Sequence, residues 1–172
     1  FRNRLIFCAA STHYNEELFI GKIHKELRLK YNNLLTILIP RHINRSEAIT
    51  NELENIDLKI ITRSSKKKIS KNTDIYMIDT YGETSRFYGL SNITFLGGSL
   101  VPHGGQNPLE PARMGSYILH GPYTQNFKEI YILLSKLNVS SKINNIANMK
   151  KIAIKKIKYK QPRNVSQKLI FM

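Results

Sequence analysis

Asn107-Pro108-Leu109-Glu110 sets an amide, a proline and a carboxylate at the spacing of a helix start, inside the segment GGSLVPHGGQNPLEPARMG at residues 97–115. Asparagine caps free amides, proline suits the first helical position, and a glutamate three residues after the cap can reach back to it. Glu110 therefore has two chemical uses. It can close a capping box, or it can accept hydrogen bonds from the vicinal hydroxyls of a ribose while free N–H groups of the helix start face a phosphate. Gly97, Gly98, Gly104 and Gly105 favour the second use, because glycine lets backbone approach a ligand closely. Arg41, directly after Pro40, is placed either to pair with a phosphate or to form a salt bridge at a sheet rim. Gly82-Glu83 is another helix start, where the helix dipole favours a carboxylate with or without a ligand.

These groups need a scaffold that brings them together. Apolar, β-branched runs recur at LIFCAA (5–10), LLTILIP (34–40), LKIIT (58–62), DIYMID (74–79), NITFLGG (92–98) and YILHG (117–121). Between several of them lie amphipathic helical patterns. EELFIGKIHKELRLKY puts Leu18, Ile23 and Leu27 near one face, and SEAITNELENI does the same with Ile49, Leu53 and Ile56. ETSRFYGL and NFKEIYILLSKLN complete the set. Strands apolar throughout, alternating with such helices, predict an α/β doubly wound domain with a parallel sheet covered on both faces. Each strong strand runs into polar residues at its carboxyl end: Ser11-Thr12-His13, Pro40-Arg41-His42, Thr80-Tyr81-Gly82-Glu83, and the segment at 97–115. Ligands of open α/β sheets bind beyond the carboxyl ends of the strands, so four such clusters define one expected crevice.

Composition narrows the function classes. The chain has 172 residues and 41% hydrophobic content, enough for one domain or one domain with an appendage. No apolar run approaches the roughly 20 residues needed to span a bilayer. The chain opens at FRNRLIFCAA, already entering a strand, without Met or signal peptide, which suggests a piece of something longer. The lone Cys8 sits in an apolar run, so a buried inert thiol and a reducing compartment are expected. The five histidines show no metal-ligand spacing, and neither GxGxxG after the first strand nor GxxxxGK[ST] is present. No metal and no cofactor are expected.

The net charge of +15 is uneven: from residue 130 on there are ten Lys and Arg and no acids, against 17 basic and 12 acidic residues before it. Residues 1–143 are read as the ligand-binding domain and 144–172 as a basic tail, for which a helix and a divergent end both stay open. Such a tail is a solvated helix face, a docking element for an anionic membrane surface, or a nucleic-acid arm. No RNP-like motif or zinc-finger spacing supports the last, so no nucleic acid is expected.

The order and spacing of STHYNEE, LIPRH, DTYGE, FLGGSLVPHGGQNPLEP and GPYTQNF resemble the C-terminal half of the Kdo transferases. These are GT-B glycosyltransferases of family 30 that add 3-deoxy-D-manno-octulosonic acid (Kdo) to lipid A. The resemblance runs from about residue 5 to residue 130. It implies a Rossmann-like, doubly wound domain holding the donor CMP-Kdo through Pro40, Arg41, Tyr81, Gly82, Glu83, Asn107, Pro108, Leu109 and Glu110. Ser11, Thr12, His13, Gly104, Gly105 and Asn126 are implied as additional contacts. It further implies a metal-independent, inverting transferase whose general base is a glutamate of the N-terminal half. That half would also carry the lipid A precursor site and the membrane anchor, placing the enzyme on the cytoplasmic face of the inner membrane. These residues alone would bind donor and catalyse nothing. The sequence departs from the family pattern at Gln106, usually His, at Tyr81 and Thr84, where Met and Leu are common, and at Ile43-Asn44, which replaces a usual Pro-Glu. Tyr81 would then contact the donor through backbone. A UDP-sugar transferase of the same fold, or a basic module acting through its tail, stays open on the residues alone.

Overall fold

The computed structural model describes residue 1 and residues 3–170. The apolar runs become strands β1 (Leu5–Thr12), β2 (Leu34–Pro40), β3 (Ile60–Thr62), β4 (Ile75–Met77), β5 (Ile93–Leu96) and β6 (Tyr117–His120), joined by β7 (Ser140–Lys142). All pair in parallel in the order β3-β4-β2-β1-β5-β6-β7. The fold is thus α/β and Rossmann-like. The chain adds strands to one side of β1 as far as β4 and then crosses to β5 on the other. That reversal puts the topological switch point of the sheet between β1 and β5.

Successive side chains of each strand enter opposite faces, so the apolar runs feed two cores. On one face Phe7, Ala9, Leu38, Met77, Phe95 and Leu119 meet helices α1 (Glu16–Arg28) and α2 (Ser46–Glu54). On the other, Cys8, Ala10, Ile37, Ile39, Tyr76 and Ile118 meet α3 (Thr84–Tyr88), α4 (Leu109–Arg113) and α5 (Lys128–Lys136). Within α1 the fully buried stripe is Ile20, Ile23 and Leu27, whereas Leu18 is only half-buried, one place off the expected face. Burying each of these three contributes about 1.5–3 kcal/mol, and Leu27→Ala would cost about 2–5 kcal/mol. Helix α2 closes on α1 at Gly21, where any side chain would run into Leu53.

The basic carboxyl-terminal region is helical and packed. Helix α6 (Ile146–Lys156) carries Met149 and Ala153, with Ile157 just beyond it, into the α1 core. Helix α7 (Arg163–Ile170) carries Val165 and Leu169 into the other core, where the Leu169 carbonyl accepts a 2.9 Å bond from Arg113 Nε of α4. Cys8 is fully buried as expected, and burial pushes its thiol up to about 12. No helix among the described residues is long and apolar enough to cross a membrane.

Candidate functional site

The carboxyl end of β1 departs from regular pairing. A bulge puts Ser11 at φ 55°, so Thr12 rather than Ser11 pairs with Pro40. Gly97 at the end of β5 packs its α-carbon on Ser11 and Thr12, leaving no room for a side chain there. The next residue, Gly98, turns at φ 64°. Its N–H donates to Glu16 Oε2 at 2.7 Å, as does that of His13 at 2.9 Å. Ser99 and Leu100 N–H donate to Glu16 Oε1 at 3.1 and 2.9 Å. One buried carboxylate at the start of α1 thus holds the loops after β1 and β5 together across the switch point. The sequence motif at 97–98 therefore serves the protein's own backbone. Gly104 faces the Asn126 side chain in the same way, and Gly105 faces the backbone of Tyr123 and Thr124. Asn126 fastens that loop, with Nδ2 donating to the His103 carbonyl at 3.2 Å and its N–H to that of Gly104 at 3.1 Å.

The expected ligand residues come, in chain order, after β2, β4 and β5. Arg41 leaves the end of β2 with its N–H bonded to the Thr12 carbonyl at 2.9 Å. Its guanidinium is exposed and has no hydrogen bond or ion pair among the described residues. Beyond β4, Tyr81 is 79% exposed and Gly82 turns at φ 78° with nothing within 4 Å of the space above its α-carbon. Glu83 is already engaged. It takes Arg63 Nη2 at 2.9 Å and Nε at 3.1 Å, and Thr80 Oγ1 at 2.5 Å. Arg63 above all, then Thr80, holds the Glu83 carboxyl at about 2.

Past β5 the helix starts one residue later than expected, with Pro108 rather than Asn107 at the cap position, and Asn107 Oδ1 accepts from the Leu109 N–H at 3.0 Å from just before it. Pro108 is buried against the start of α4. Glu110 does not return to the cap as a capping box would. Its Oε1 accepts instead from the Ser85 hydroxyl on α3, bridging the two short helices, and its Oε2 has no partner among the described residues. Arg41, the bare backbone at Gly82 and the free oxygen of Glu110 stand beyond the carboxyl ends of β2, β4 and β5, and the Ser85–Glu110 bond joins the helix after Gly82 to the one after β5. Together they offer a cation for a phosphate, an open backbone surface for a flat ring and an acceptor for hydroxyls.

Several residues that shape the site were not assigned their roles from sequence. Glu16 and Glu17 are both buried, Glu17 in a two-pronged pair with Arg45 at 3.0 and 3.4 Å, and its carboxyl is raised by burial. Two adjacent acids opening a helix after a strand were the only available signal, and it reads equally as dipole compensation. His13 lies tilted against His103 at 4.1 Å between ring centres and meets His42 edge-on at 5.7 Å. No set of three or more His, Cys, Asp or Glu side chains among the described residues is arranged to hold a metal ion.

The chain matches no family model. Its sequence is 40% identical over 147 residues to the 3-deoxy-D-manno-octulosonic acid transferase of Haemophilus influenzae, covering 86% of this chain and 34% of that protein. The enzyme of the same name from Rickettsia prowazekii is 32% identical over 143 residues, covering 83% and 31%. The chain spans about a third of the length of these relatives. Among solved structures, the C-terminal CMP-Kdo binding domain of WaaA from Acinetobacter baumannii superposes with a TM-score of 0.86 at 29% identity, over 98% of this chain and 87% of that one.

Proposed function

We infer, because the chain belongs with the C-terminal domains of the Kdo transferases, that it binds CMP-Kdo in the crevice of Arg41, Gly82 and Glu110. The observation that carries this reading is that an unpaired cation, an open glycine backbone and a half-free carboxylate all lie at the carboxyl ends of strands, beyond β2, β4 and β5. Arg41 pairs with the phosphate of the nucleotide, a charged hydrogen bond worth about 1.5–3 kcal/mol. Pro40 fixes the approach of the chain to it. The cytosine lies against the peptides of Tyr81 and Gly82, which Glu83 steadies through Arg63 and Thr80. Glu110 Oε2 accepts from the ribose hydroxyls, while Asn107, Pro108 and Leu109 hold the start of α4 in place. Ser11, Thr12, His13, Gly104, Gly105 and Asn126 shape the neighbouring wall.

In this reading residues 1–143 carry the donor crevice and residues 144–172 add two packed basic helices. The complete enzyme transfers Kdo to a lipid A precursor, with its general base on an amino-terminal domain, at the cytoplasmic face of the inner membrane. Leaving-group charge on CMP is stabilised by Arg41 and by fixed backbone dipoles. A calorimetric panel tests the nucleotide choice: CMP binds, and UDP and GDP do not. Equal binding of all three would remove cytidine specificity and favour another nucleotide-sugar transferase.

A further inference from the structure

We propose that the depression beside the β1–β5 switch point, walled by His13 and His103 with His42 meeting His13 edge-on, holds the carboxylate of the donor's sugar acid. This deepens the donor-binding reading and rests on it. The depression has a volume of about 290 Å³ and is lined by His13, Tyr14, Asn15, Val101, Pro102 and His103. That volume is near the lower end for small-ligand sites and suits a monosaccharide. Val101 and Pro102 offer apolar contact to a carbon skeleton, and the imidazoles offer hydrogen-bond donors.

Charge points to an anion. His13 Nε2 is buried without any hydrogen-bond partner, a costly arrangement unless a ligand supplies an acceptor. Every charged group around it is accounted for. His42, His103, Arg41 and Arg45 approach it as cations or potential cations. Glu16 gives both oxygens to four backbone amides, and Glu17 is paired with Arg45. No carboxylate is left to answer the imidazoles. Burial, then His103, His42 and the two arginines, pulls His13 down to about 4 in the free protein. A bound carboxylate reverses the last contributions, so binding takes up a proton. Affinity for the sugar acid then rises as pH falls from 7 toward the free value. The rise is about tenfold for each unit by which the ligand lifts the His13 pKa. The phosphate of the same donor is met by Arg41, which follows the strand next to His13, so the sugar lies where a phosphodiester-linked acid would reach the imidazoles.

The test uses this 172-residue chain with histidine ring and backbone resonances followed in parallel. Free 3-deoxy-D-manno-octulosonic acid is expected to shift the rings of His13, His42 and His103 more tightly at pH 5 than at pH 7. CMP alone is expected to shift the amides of Gly82, Leu109 and Glu110. His103→Gln should lower the sugar-acid affinity at least about tenfold, the low end for one hydrogen bond to a charged group. Sugar-acid titration that leaves all three rings unmoved overturns the subsite, while a CMP response keeps the nucleotide reading. Equal displacement of the rings by inorganic phosphate assigns the pocket to phosphate and overturns the carboxylate. Absence of the CMP response fails the nucleotide reading instead.

Discussion

Replacing Glu16 by Gln removes charge at the point where the loops after β1 and β5 are joined. The carboxylate accepts four backbone N–H groups, His13 and Gly98 on one oxygen, Ser99 and Leu100 on the other. The amide keeps one acceptor oxygen and turns a donor toward the remaining two N–H groups. Leaving a buried donor unsatisfied costs about 1–3 kcal/mol, so two put the loss at about 2–6 kcal/mol. For a domain of this size each kcal/mol lowers Tm by about 2–4 °C, and a loss of about 4 kcal/mol lowers it by about 8–16 °C. Circular dichroism melting reads that fall. Hydrogen exchange reads its place, because the Gly98, Ser99 and Leu100 amides should exchange at least about 30-fold faster at tenfold per 1.36 kcal/mol. An unchanged Tm with unchanged protection of those amides would refute the claim that one carboxylate fixes the switch-point loops.

Glu110→Gln should weaken CMP binding by about tenfold, roughly 1.4 kcal/mol, with little change in Tm, because the group is exposed and its Ser85 bond needs only one oxygen. A lower Tm in Glu110→Ala with unchanged CMP affinity would make the residue a helix bridge alone. Glu83 titrates at about 2 in the folded domain, below its ordinary range, because of Arg63 and Thr80. Its pairing therefore adds stability that is complete above about pH 4.5 and lost as pH falls toward 2. Carbon-detected titration should move the Glu83 midpoint up toward the ordinary value in Arg63→Ala, and a midpoint unmoved by that change would contradict the pairing. The basic carboxyl-terminal helices should bring the chain down with anionic vesicles at low salt and not with neutral ones. Release is expected near 0.5 M salt, as screening shortens from about 10 Å at 0.1 M to about 3 Å at 1 M. Equal binding to neutral vesicles would remove the charge from that interaction.

The six strong strands were legible because each is apolar along its whole length, which only a sheet covered on both faces explains. Strand β7 was not, since Ser140-Ser141-Lys142 is short and polar and pairs only with β6 at the sheet edge. The charge of the last 30 or so residues hid what they bury. Met149, Ala153, Ile157, Val165 and Leu169 lie at helical spacing among lysines, so a composition reading sees a tail where the fold has two packed helices. Arg41, Gly82 and Glu110 lie beyond strand ends, as their place in the sequence pattern implied, because position follows topology. The partners of charged side chains did not follow. That Glu83 belongs to Arg63, twenty residues back, and Glu110 to Ser85 depends on how loops close, which no local spacing encodes. The glycines at 97 and 98 were read as room for a ligand. The room is used first by the bulge at Ser11 and the Glu16 carboxylate.

The most direct measurement is a backbone chemical-shift titration of the chain with CMP, in wild type and in Arg41→Ala. Weak, saturable binding at about 0.1–1 mM is expected, because a small ligand must offset its lost freedom with few contacts. The shifts should centre on the amides of Arg41, Gly82, Glu83, Asn107, Leu109 and Glu110, and Arg41→Ala should abolish saturation. Shifts confined to the lysine-rich faces of α6 and α7, or a response that Arg41→Ala leaves intact, would contradict a nucleotide site at the carboxyl ends of β2, β4 and β5.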